Sequence, residues 1–108
     1  MDEKRLQELL DQATVDCYDA EEEFSGVLCT LDDHLNFPLQ AELQGEQVEV
    51  IGLDNRRSNL RKGIVARVRK GSREYTVGLA DLSFIAPDLV SAEWLAMYRY
   101  WAGMNEEE

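Results

Sequence analysis

Residues 39–50, LQAELQGEQVEV, mark the point at which the spacing of apolar side chains changes. Leu39, Ala41 and Leu43 alternate with polar residues, as do Val48 and Val50, which is the period of two expected of half-buried strands. Ile64, Ala66 and Val68 repeat the alternation, and so do Tyr75, Val77 and Leu79, so four strands are expected. RKGSRE, 69–74, carries a tight-turn signal between the last two, whereas DNRRSNLRKG, 54–63, reads as a longer polar loop.

Upstream the period is 3.6. Leu6, Leu9, Leu10 and Ala13 share one face of an amphipathic helix of about four turns. Asp19 is placed to cap a second helix, with Glu22 completing an Asp-x-x-Glu box, and Phe24, Val27, Leu28, Leu31 and Leu35 form its apolar stripe before Pro38 closes the segment. Downstream, Asp88 or Ser91 is placed to cap a third helix that buries Trp94, Leu95, Tyr98 and Trp101 and stops near Gly103. Two helices, a short-stranded antiparallel sheet and a closing helix give an α+β class. Strands this short most economically curl into a small barrel.

A chain of 108 residues and 12.4 kDa with 44% hydrophobic residues suits one domain, expected over 1–104, with a disordered acidic tail over 105–108. No apolar run approaches the ~20 residues that span a bilayer, and MDEKRLQELLDQ is polar where a secretory signal is basic and then apolar. A cytoplasmic, membrane-free protein is expected. Cys17 and Cys29 lack CxxC spacing and companion ligands, so reduced, half-buried thiols are expected rather than a zinc site or redox pair.

The net charge of −11 is unevenly spread. Residues 1–49 hold fourteen acids and two bases, residues 51–74 two acids and eight bases, and the remainder six acids against Arg99. The stretch VDCYDAEEEFSGVLCTLDDHLNFP, 15–38, has seven carboxylates and neither Lys nor Arg. Such a half repels nucleic acid and anionic membranes and attracts cations or a basic surface.

The motifs YDAEEEFSGVLCTLDDHLNFPLQA and EWLAMYRYWAGM add a resemblance. An acidic helical lead ending in Leu-x-Phe-Pro, a Val-x-Val strand, a Gly-Ile strand, a Leu-x-x-Leu closure and a Trp-x-x-x-Tyr-x-Tyr-Trp helix, in that order, resemble the CcbP-type calcium-binding proteins of cyanobacteria. The resemblance runs from about Asp16 to Gly103. It implies an SH3-like barrel fronted by helices, no enzymatic activity, and Ca2+ held by acidic surface groups without an EF-hand.

The chemistry of the residues agrees with that implication. Calcium takes six to eight oxygens in a tolerant geometry, and no window here supplies the EF-hand pattern, so a site must be assembled otherwise. Asp32 and Asp33 stand where the second helix ends; free carbonyls and the negative dipole end disfavour carboxylates there but suit a cation. They form the first expected site, with Asn36, or Asp54 and Asn55 from the polar loop, as further ligands. Asp19, Glu22 and Glu23, with Asp16, form the second, at the helix start where carboxylates also serve as caps.

Catalysis fails on inventory. His34 is the only histidine, and no phosphate loop or nucleophile elbow is present. The competing expectation is a protein- or RNA-interaction module using the basic strip Arg56, Arg57, Arg61, Lys62, Arg67, Arg69, Lys70 and Arg73, against the alternative that these bases pair with the chain's own acidic helices. A monomeric calcium buffer or sensor is the expected function.

Overall fold

A computed structural model describes residues 2–106. Its elements are α1 (Glu3–Ala13), α2 (Ala20–His34), β1 (Leu39–Leu43), β2 (Glu46–Leu53), β3 (Val65–Lys70), β4 (Arg73–Gly78), a 3-10 turn (Leu79–Asp81), β5 (Ser83–Phe84) and α3 (Leu89–Glu106). The chain falls into two compact units: a helical unit of residues 1–35 and 89–108, and a sheet unit of residues 36–88.

In the helical unit, the Asp2 carboxylate caps α1 by accepting the Arg5 N–H at 2.8 Å. Leu9, Leu10 and Ala13 are buried. Asp19 caps α2 in the same way, its Oδ1 2.8 Å from the Glu22 N, and Phe24, Val27, Leu28 and Leu31 form the expected buried stripe. From α3, Trp94, Leu95, Met97, Tyr98 and Trp101 are buried. The rings of Phe24 and Trp101 lie 6.1 Å apart and those of His34 and Trp94 4.4 Å apart, so α3 packs on α2 through aromatic contacts. Arg5 pairs with Glu93, and the Tyr100 hydroxyl donates to Gln7, tying α1 to α3. α3 begins directly after Asp88, leaving Ser91 inside the helix and fully buried; it continues past Gly103 to Glu106. Of the tail expected over 105–108, residues 107 and 108 lie outside the described residues.

The sheet unit is an antiparallel five-stranded sheet of order β4-β3-β2-β1-β5. Gln44 and Gly45 join β1 to β2 with both φ angles positive, 52° and 84°, as a type I′ hairpin demands. Gly71, at φ 61°, opens the two-residue turn between Lys70 and Arg73, as RKGSRE led one to expect. Leu39, Ala41, Val48, Val50, Ala66 and Val68 are buried at every second position, and a bulge at Ile51 shifts the β2–β3 register.

Two expectations need correction. A fifth strand exists, because residues 83 and 84 fold back against Glu42 and Ala41. The sheet is also not closed into a barrel: β4 and β5 are its two edges, and two residues of β5 suffice to cover part of β1 without continuing the ladder. No helix among the described residues is long and apolar enough to cross a membrane.

Candidate metal centre

The link between α1 and α2 is short. Thr14 ends α1, its N–H and hydroxyl both donating to the Leu10 carbonyl, and the Cys17 N–H returns to the Thr14 carbonyl at 3.1 Å. Asp16 between them adopts φ 60°, a left-handed conformation that Asp tolerates better than most residues. The Cys17 thiol donates to the Glu22 carbonyl at 3.3 Å.

This geometry gathers charge around one sulfur atom. The Cys17 thiol is pushed above its ordinary range first by partial burial, then by Glu22, Glu23, Asp16 and Asp19. All four expected carboxylates of the helix start therefore act on the same small region. Asp19, Glu21 and Glu22 also line a surface depression there with Cys17, Ser25, Gly26 and Cys29. One Asp19 oxygen is committed to the cap, leaving the other open. Among the described residues, Asp16, Asp19, Glu22 and Glu23 take part in no ion pair within 4.0 Å.

Asp32 and Asp33 are exposed on the last turn of α2, likewise outside any ion pair among the described residues. His34 beside them points its Nδ1 at the Thr30 carbonyl, 2.8 Å away. Asn36, expected as a helper, donates to Asp88 in the sheet unit at 2.9 Å.

Asp54 is differently placed. It follows β2 with 17% of its side chain exposed, its Oδ1 accepting the Arg57 N–H at 3.1 Å and its Oδ2 lying 3.3 Å from Arg57 Nε. Both oxygens are already engaged, so a cation here must displace an arginine. The Asp-x-x-Arg spacing was the available signal, because Asp commonly forms such a turn with the backbone two or three residues on.

No three described His, Cys, Asp or Glu side chains converge tightly enough to hold a metal as they stand. The donor set nevertheless fits calcium, a hard ion that takes oxygen ligands in flexible geometry. Carboxylates not committed to internal cations are the oxygen donors available among the described residues.

The basic strip is partly neutralised within its own sheet. Arg69 pairs with Glu49, Lys70 with Glu46 at 2.6 Å, Arg67 with Glu74 at 4.0 Å, and Arg57 with Asp54. These partners come from the sheet unit, not from the acidic helices. Cys29, expected to be half-buried, is exposed, while Cys17 is half-buried; both are free.

A family model described as CcbP, calcium binding, matches residues 7–102. The chain belongs to the CcbP family. Two solved structures resemble it closely. The crystal structure of Anabaena CcbP has a TM-score of 0.83 and 29% identity, with 94% of this chain and 91% of that one covered. A calcium-binding protein in its calcium-binding form has a TM-score of 0.81 and 27% identity, with 96% and 93% covered. Compared with curated proteins, the chain matches none. The CcbP match runs from within α1 through most of α3, so both the acidic helix start and the Asp32–Asp33 turn lie inside the family's own boundaries.

Proposed function

We propose that this member of the CcbP family binds Ca2+ through carboxylates at the two ends of α2, without an EF-hand, and acts as a cytoplasmic calcium buffer or sensor rather than as a catalyst. The observation that carries the reading is the set Asp16, Asp19, Glu22 and Glu23, four carboxylates at the start of α2 that take part in no ion pair among the described residues. The dipole at the start of a helix amounts to about half a positive charge, too little to offset four carboxylates. The number of charged ligands sets affinity for calcium, so this cluster takes the tighter ion and Asp32 with Asp33 the weaker one. Helix electrostatics alone favours the opposite order, and the four-to-two difference in carboxylates outweighs it. Asp54 is a ligand of last resort because Arg57 already occupies it.

Calorimetric titration with Ca2+, with Mg2+ as competitor, tests the reading. Saturable heat that survives the competitor is expected, and its absence at millimolar Ca2+ overturns the function. The order of sites is tested separately by comparing the variant Asp19→Asn, Glu22→Gln, Glu23→Gln with the variant Asp32→Asn, Asp33→Asn. The first is expected to lose the tighter step and the second to retain it.

A further inference from the structure

Cys17 and Cys29 stand twelve positions apart, yet both line the same depression of the helical unit. The Cys17 sulfur lies 3.3 Å from the point a Cβ on Gly26 would occupy. Cys29 follows Gly26 by three residues on α2, and a helical side chain leans toward the N-terminus to cover the turn before its own Cα. Cys29 thus leans over the turn of Ser25 and Gly26, where Cys17 already rests. Gly26 has no side chain to crowd the Cys17 sulfur. It cannot be larger, since its Cβ would stand 2.3 Å from the Ala13 carbonyl oxygen. Cys17 sits on the non-helical link between α1 and α2, so bringing the two Cβ atoms to the ~3.8 Å a disulfide needs moves a linker and leaves the helices in place.

We propose that Cys17 and Cys29 are a reversible dithiol–disulfide pair, oxidised by exchange with a low-molecular-weight disulfide. The exposed Cys29 attacks first: its sulfur bonds to one sulfur of the small disulfide, whose S–S bond breaks and releases one small thiol. Cys17 then attacks the Cys29 sulfur, the mixed disulfide breaks, and a second small thiol leaves. The protein loses two protons and two electrons, and the two released thiols carry them. The absence of CxxC spacing hides such a pair, because one cysteine stands on the link before α2 and the other well inside that helix.

The test uses the full reduced chain in chelator, so its outcome does not depend on calcium binding. Cystamine serves as the probe, because a cationic disulfide is favoured beside Asp19, Glu21 and Glu22 over an anionic one. Intact mass and thiol titration are expected to show a monomer lighter by two hydrogens, with both thiols lost and a peptide linking residues 17 and 29. The second step is expected to run at least about tenfold faster in folded chain than in urea, where only chain flexibility sets the local concentration. Cys17→Ser is expected to trap the cystamine adduct on Cys29. A persistent adduct on the unsubstituted chain, disulfide-linked dimers, or equal rates with and without urea each overturn the proposal.

Discussion

Asp19 caps α2 and is also a proposed calcium ligand, and its substitution separates the two. Its carboxylate caps α2, and removing a capping oxygen costs about 1 kcal/mol, so Asp19→Ala is expected to lower urea stability by that amount even without calcium, whereas Asp19→Asn keeps the cap. Equal stability of the two variants in urea melts would show the cap to be unimportant. Gly26→Ala is expected to cost more, about 1–3 kcal/mol, because the added Cβ meets the backbone oxygen of Ala13 rather than a side chain able to move. Glu46 offers a test by pH: the hydrogen bond from Lys70, and then its charge, hold the carboxyl below the usual glutamate range. A carboxyl held low by folding contributes stability that is complete above its unfolded pKa and is lost as pH falls through the folded value. Carboxyl-carbon NMR is expected to show the Glu46 midpoint rising in Lys70→Met; an unmoved midpoint would mean that the pair does not form in solution. Much at this level was legible beforehand: the Asp19 cap follows from residue type and spacing alone. The pairing of Arg69 with Glu49 was not, since a cross-strand partner depends on register, and a bulge at Ile51 alters that register without a mark in the sequence.

Between single residues and the chain, α2 is the element that organises the candidate site. Its start is stabilised by anions and its end is not, so Asp32→Asn with Asp33→Asn is expected to leave the calcium-free protein at least as stable as the parent, read from its melting temperature. A fall in that temperature would show that the two carboxylates have partners in the folded chain. The helices and the first four strands were readable because each carries its apolar residues at a clean period, as the stripe of α2 and the alternation of β1 illustrate, and as Tyr75 and Val77 do in β4 although they are only half-buried. β5 was invisible for the converse reason: two residues display no period. The end of α3 was placed early because Gly103 is a stop signal only where the helix needs one, and here the helix runs on.

Charge is a property of the whole molecule, and it decides the last test. Most of the −11 sits on the helical segments, where like charges repel within a screening length of about 8 Å at physiological salt. Calcium bound to the folded chain stabilises it by mass action, by about 2.7 kcal/mol at a hundredfold excess over Kd. A raised melting temperature in millimolar Ca2+ is therefore expected at constant ionic strength. The same shift with sodium alone would assign the effect to screening.

The helical unit is assembled from the two ends of the chain, 1–35 and 89–108, while the sheet unit is one continuous run. On a ribosome this imposes an order of birth. α1 and α2 emerge first, residues 1–35 holding eleven of the 22 acidic groups, but Phe24 and His34 must wait for Trp101 and Trp94, which are made after the sheet. The strands of residues 39–84 are complete before then. A nascent chain arrested before α3 thus has a sheet able to form and two acidic helices lacking their aromatic partner, so a truncation after residue 88 should be protease-sensitive in its first 35 residues and more resistant beyond them.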